Sequence, residues 1–228
     1  MHASATVRRL VTGPSGSARL LAVAAVVLTV VAVAGIAVTI GRDEELEQRP
    51  TLVVGDSVTF LSVLPITEVL GEGSSQIVAR PGYRSIDLLP ILRTELVRPD
   101  SPAADRDRAV FLVGYNDVQR STVDADALTA MVRESERFAC AVWLELPARP
   151  GGEPADNAAF LPEDVDRWNE RLRAEAEGRD AVHVSDAWAA EVEADDGGGL
   201  VQGDGVHPTG AGSRALADAM AAAIVDVC

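Results

Sequence analysis

Lysine is absent from this chain: all twenty basic residues are arginine. Against them stand 35 acidic residues, giving a formal net charge of −15. A phosphate backbone needs a basic face, so this balance excludes a nucleic-acid role. Cysteine is scarce as well. Cys140 and Cys228 are too few for a disulfide scaffold and lack the spacing of metal ligands. No other cluster of residues reads as a metal site, no cofactor is expected, and no internal repeat is visible.

Long uncharged runs are also missing, with one exception. From Leu20 to Ile40 no side chain is charged. As a helix that run spans ~31 Å, about the thickness of a bilayer's hydrocarbon core. Arg8, Arg9 and Arg19 precede it, and an acidic stretch that includes Asp43, Glu44, Glu45 and Glu47 follows. The positive-inside rule then assigns 1–19 as a cytoplasmic tail, 20–41 as a transmembrane signal anchor and 42–49 as a linker. Everything from residue 50 to 228 is expected outside the cytoplasm. A cleaved signal peptide is the alternative, with Ala32-Val33-Ala34 as an A-x-A site. Both readings export the 50–228 portion, which has the size of one domain.

Within that portion, strand-like segments near 51–55, 75–80, 108–113, 139–146 and 181–184 alternate with helical periodicity. The helical stretches are 58–70, 85–97, 122–138, 158–177 and 209–227. Ala109–Val113 and Ala139–Leu144 are almost wholly apolar, as strands covered on both faces should be. The alternation predicts a three-layer α/β/α sandwich with a five-stranded parallel sheet, flavodoxin-like in kind. Cys140 then starts a strand and Cys228 ends the last helix. These lie at the same edge of such a sheet, so a disulfide between them is geometrically open, as is the unpaired state.

Polar residues gather just past the strand ends. Gly55-Asp56-Ser57 follows the first strand, Arg80-Pro81-Gly82-Tyr83 the second and Gly114-Tyr115-Asn116-Asp117 the third. In a doubly wound sheet these loops line one crevice. Gly203-Asp204-Gly205-Val206-His207-Pro208 immediately precedes the last helix and reaches the same edge. Ser57 stands where a helix begins, so its free N–H groups and dipole suit a developing negative charge. Helix capping alone would also place Ser or Asp there. Asp204, three residues before His207, can orient one ring nitrogen and leave the other as a base toward a serine. Of the other two histidines, His2 lies in the expected cytoplasmic tail and His183 within a strand run.

Together the four clusters resemble the SGNH (GDSL-type) hydrolase superfamily. Gly55-Asp56-Ser57-Val58 resembles its first block, with Val where Leu is commoner, and Gly82 the glycine of its second. Gly114-Tyr115-Asn116-Asp117 resembles the third, and Asp204-Gly205-Val206-His207 with Pro208 the fifth. The resemblance covers about residues 50–228. It implies Ser57 as nucleophile, His207 as general base and Asp204 as its orienting partner. The N–H groups of Ser57 and Gly82 and the Asn116 amide would form the oxyanion hole.

Asp56 and Asp117 are expected to support the loops. Tyr83, Arg84 and Tyr115 flank the site, as substrate contacts or as exposed loop residues. Trp168, at helical spacing with Val165 and Leu172, reads as core. Asp124, Asp126, Glu134 and Glu136 read as a solvated helix face. The implied function is an extracytoplasmic serine esterase acting on short acyl esters of envelope glycans or lipids, through an open cleft without a lid. Its activity should fall at low pH as His207 protonates. Transfer of the acyl group to a sugar hydroxyl is a variant on the same scaffold. A non-catalytic module binding glycan or protein is the rival, and it has no need for Ser, Asn, Asp and His together. The sequence leaves the oligomeric state open.

Overall fold

The apolar strand runs do form one sheet. A computed structural model describes residues 49–101, 107–119, 125–147, 162–195 and 198–228. Its strands are β1 (Thr51–Gly55), β2 (Ser75–Ala79), β3 (Arg108–Leu112), β4 (Cys140–Leu144) and β5 (Val182–Ser185). All pair in parallel, in the order β2-β1-β3-β4-β5. The three central strands β1, β3 and β4 are buried along their whole length, which is why their sequences lack alternation.

Among the described residues the helices are α1 (Ser57–Leu61), α2 (Val63–Leu70), α3 (Ser85–Glu95), α4 (Tyr115–Gln119) and α5 (Ala125–Ser135). They continue with α6 (Pro162–Ala176), α7 (Ala187–Ala194) and α8 (Gly210–Val227). Helix α8 packs against α2 and α7, whereas α5 packs against α3 and α6, giving one helical layer on each face of the sheet. The core joins both layers through the sheet. Phe111 of β3 stacks on Trp143 of β4 with ring centroids 4.5 Å apart.

Three features depart from the sequence expectation. The helix expected over 58–70 is broken at Ser62, whose hydroxyl donates to the Val58 carbonyl at 3.0 Å. The break puts Pro65 at the third position of α2. There its missing N–H is one of the groups a helix start leaves unpaired; in an unbroken helix its ring would strike the preceding turn. Helices α4 and α7 are additional, each filling a connection that the sequence left as loop. Finally, two acids of the run expected as a solvated face, Glu134 at the end of α5 and Glu136 just past it, are ion-paired; Asp126 is exposed, and Asp124 lies outside the described residues. Glu134 meets Arg93 of α3 at 2.8 Å, and Glu136 meets Arg179 at 2.6 Å.

Cys140 and Cys228 are joined in a disulfide, with Cα atoms 5.8 Å apart. It ties the start of β4 to the last residue of the chain. The expected anchor at 20–41 and the cleavage alternative at Ala32–Ala34 lie outside the described residues. No helix among the described residues is long and apolar enough to cross a membrane.

Strand register fixes where the polar loops meet. Gly55, the last residue of β1, is level with Ala79 of β2 and Leu112 of β3. The loops after these strands therefore leave from one edge, with the strand order reversing between β1 and β3. Open α/β sheets bind their ligands at such a switch point.

Candidate active site

At the end of β1 the chain turns abruptly into α1. A side chain on Gly55 would run into Thr59 and the Leu112 carbonyl, so only glycine fits the turn. Asp56 is the residue that caps the helix: its Oδ1 accepts the Val58 N–H at 3.1 Å. Ser57 is thereby relieved of capping. Its hydroxyl oxygen instead lies 3.0 Å from Nε2 of His207. The five-residue length of α1 leaves little of the dipole that a helix over 58–70 would have supplied. An oxyanion formed here would depend on discrete N–H donors.

His207 and Asp204 sit on a small hairpin closed by an antiparallel bridge between Val201 and Pro208. Gln202 braces it, its N–H donating to the His207 carbonyl at 2.8 Å and its side-chain amide to the Pro208 carbonyl at 2.9 Å. Within the turn, Oδ1 of Asp204 accepts the N–H groups of Val206 (2.9 Å) and His207 (3.0 Å). Its Oδ2 lies 2.7 Å from His207 Nδ1. Partial burial alone would raise this carboxyl. The bonds from the His207 ring and from the two backbone N–H groups outweigh it and hold the acid below its ordinary value. An ionised carboxylate only accepts, so Nδ1 carries a proton, and in the neutral ring Nε2 presents its lone pair to the Ser57 hydroxyl.

Asn116 opens onto the same edge from α4, just past β3. Its side-chain amide donates one N–H to the Tyr83 carbonyl at 3.1 Å, which fixes the amide and leaves its second N–H for an incoming oxygen. The same bond steadies the loop carrying Gly82. Gly82 has φ +77° and nothing within 4 Å of where a side chain would begin. Glycine is needed there for backbone conformation, not for want of room.

Residues 53–215 match the GDSL-like Lipase/Acylhydrolase family. That stretch holds Ser57, Gly82, Asn116, Asp204 and His207. The chain belongs to this family, and it is an ester-hydrolysing enzyme. Its fold is similar to the C-terminal catalytic domain of peptidoglycan O-acetyltransferase A from Streptococcus pneumoniae, solved with a methylsulfonyl adduct. There the TM-score is 0.62 at 18% identity, over 78% of this chain and 94% of that one. The acetylxylan esterase Axe2 of Geobacillus stearothermophilus gives 0.56 at 20% identity, over 78% and 94%. A putative SGNH hydrolase from Slackia heliotrinireducens gives 0.55 at 22%, over 77% and 98%. At these identities the likeness is one of fold. Among curated proteins no sequence relative matches.

In this acylhydrolase two further acids near the serine, Asp56 and Asp117, hydrogen-bond to the backbone of the surrounding loops. Asp117 is buried and accepts the Ser85 N–H at 2.9 Å and the Ser85 hydroxyl at 2.7 Å, stapling α3 to α4. Burial pushes its carboxyl up, and the Ser85 bonds only partly offset that. Asp56 is fully buried, and its Oδ2 meets no hydrogen-bond donor among the described residues. Burial drives its carboxyl up to about 7, against the Val58 N–H and with the nearby Asp117 charge adding to the rise.

Tyr115 is not an exposed loop residue. It is buried, and its hydroxyl accepts the indole N–H of Trp188 at 2.9 Å. Burial pushes that hydroxyl's pKa up. Tyr83 is partly exposed at the rim, while Arg84 pairs with Asp87 at 3.5 Å. Trp168 is wholly buried and packs over Gly114 so closely that any side chain at 114 would strike its indole.

Sequence reasoning missed several supports. Trp188 and Ser85 carried no local signal, because their partners lie 73 and 32 residues away. Asn169 clamps the backbone of Leu146 through both ends of its amide, at 3.0 and 2.8 Å. A polar residue between the apolar positions of α6 was its only signal. Among the described residues no group of three or more His, Cys, Asp or Glu is placed to hold a metal.

Proposed function

We propose that this enzyme is a membrane-anchored, extracytoplasmic serine esterase that removes short acyl groups, acetyl foremost, from glycans or lipids of the cell envelope. The Ser57–His207–Asp204 relay carries the reading. Ser57 Oγ attacks the ester carbonyl carbon as its proton passes to His207 Nε2. The carbonyl oxygen, now negative, is met by the N–H groups of Ser57 and Gly82 and the free N–H of Asn116. As the intermediate collapses, the bond to the alcohol oxygen breaks and His207 returns its proton to the departing alcohol. Water then attacks the acyl-enzyme, His207 takes and returns a proton again, and the acid and the free serine are released. Asp204 stays ionised throughout and stabilises the imidazolium.

Location rests on two supports. The uncharged run 20–41 has arginines before it and acids after it, and the Cys140–Cys228 disulfide suits an oxidising compartment. The choice of acetyl follows the fold likeness to an acetylxylan esterase and a peptidoglycan O-acetyltransferase. The second of these favours one further reading, transfer to a sugar hydroxyl. The side chains of His207 and Asp204 are 35% and 47% exposed, so an acceptor bulkier than water has room to approach.

The test is acetate release from O-acetylated cell-envelope material by the full chain and by Ser57→Ala, with and without an added oligosaccharide acceptor. Free acetate from the wild type alone is expected. Acetylated acceptor in place of acetate would make the enzyme a transferase, and equal release from both proteins would overturn the reading.

A further inference from the structure

Seven large apolar side chains are exposed among the described residues, and five of them flank Ser57: Phe60, Leu61, Leu64, Tyr83 and Ile86. The other two, Val97 and Val227, stand alone. Single exposed apolar residues are ordinary, but a concentration of them marks a surface that meets something.

Their placement follows from the elements. On α1, Phe60 and Leu61 come three and four residues after Ser57, which puts them on the serine's own helix face. Val58 and Thr59, on the other face, are fully buried. Leu64 follows on α2 past the break at Ser62 and is 83% exposed. Across the crevice, Tyr83 and Ile86 follow β2, the neighbour of β1, and the Tyr83 carbonyl holds the Asn116 amide. No residue from 57 to 67 is charged, in a chain whose residues are 24% charged.

An acetyl group cannot account for this strip. Phe60 and Leu61 lie one turn past Ser57, and Leu64 lies on a second helix beyond the break at Ser62. A two-carbon acyl group held at the serine is too short to cover apolar side chains on both helices. A sugar, with hydroxyls all round, would leave them facing a run that offers few polar partners. Resting on the esterase reading above, we propose that the strip receives the alcohol side of the substrate, and that this side carries an aliphatic portion. The substrate class is then an acylated amphiphile: a short acyl ester on a lipid-like carrier.

The test uses the full chain in amphipol with two ester series below their solubility limits. One lengthens the alcohol (ethyl, butyl and hexyl acetate). The other lengthens the acyl group (4-nitrophenyl acetate, butyrate and hexanoate). Burying methylenes on an open surface predicts a rise in kcat/KM of about tenfold from ethyl to hexyl acetate. The double variant Phe60→Ser/Leu64→Ser should cut that rise to about twofold, and Val97→Ser should keep it. Partitioning into the amphipol is common to all three proteins and cancels in the comparison.

A rise that survives in the double variant, or no rise in the wild type, overturns the inference. A gain confined to the acyl series overturns the alcohol-side assignment. Fluorophosphonate labelling of the same samples separates the two levels. A labelled Ser57 with a flat alcohol series sinks only this inference, whereas an unlabelled Ser57 sinks the esterase reading beneath it.

Discussion

The Ser57 hydroxyl lies 3.0 Å from Nε2 of His207, across 150 residues of sequence. Nothing local holds the two together. β1 delivers Ser57 to one edge of the sheet, and a hairpin braced by Gln202 brings His207 to the same edge just before α8. The pairing is therefore a property of the whole domain, and the residues that sustain it at a distance are open to test.

Two glycines of the site should fail in different ways. Gly82→Ala meets open space and pays only for its left-handed backbone, about 1–2 kcal/mol. If its N–H faces the oxyanion, turnover should drop by up to about a hundredfold while the protein still melts cooperatively. At Gly114, with φ +130°, a side chain collides with Trp168. Gly114→Ala should cost about 3 kcal/mol of stability, from overpacking and strain together. Melting curves and kcat on 4-nitrophenyl acetate check both. Equal losses of stability at the two sites would contradict the assignment.

Asp56 should make the enzyme less stable as the pH rises. Its carboxyl is held up to about 7 in the folded state, from an ordinary 3.8. Between roughly pH 4 and pH 7 the folded protein keeps a proton that the unfolded chain has lost, so stability falls across that window. The full cost above pH 7 is on the order of 4 kcal/mol. Asp56→Asn keeps an oxygen to cap Val58 and removes the titration. Its Tm relative to wild type should climb from pH 4 to pH 8, and a pH-independent difference would contradict the account.

The disulfide should matter for stability and not for chemistry. It closes a loop of 88 residues at the sheet edge where β4 begins, away from the crevice. Breaking it by reduction or by Cys228→Ser should cost about 4 kcal/mol, or roughly 10 °C in Tm for a domain of this size. Below the new Tm, kcat should be unchanged. Loss of activity in a still-folded variant would contradict this.

The strands were legible in the sequence because β1, β3 and β4 are buried on both faces, leaving unbroken apolar runs. The polar loops after β1 and β3 were legible because each follows directly on such a run. What stayed hidden was set by contacts over long sequence distances. Tyr115 looked like a loop residue until α7 delivered Trp188 to its hydroxyl. Ser57 was open to a capping role until Asp56 was seen to do the capping. The break at Ser62 was hidden by apolar periodicity that ran through it, although Pro65 was a local reason for it. Cys140 and Cys228 could be placed at one edge, but only the packing of α8 brings their Cα atoms to bonding distance.

The central claim is that Ser57 is an activated nucleophile. A fluorophosphonate probe, intact-mass analysis and peptide mapping on the full chain test it most directly, with Ser57→Ala and His207→Ala beside the wild type. A single adduct on Ser57 is predicted. It should be absent from Ser57→Ala and formed at least about a thousandfold more slowly in His207→Ala. No adduct on folded wild-type protein, or an adduct on another serine, would contradict the account.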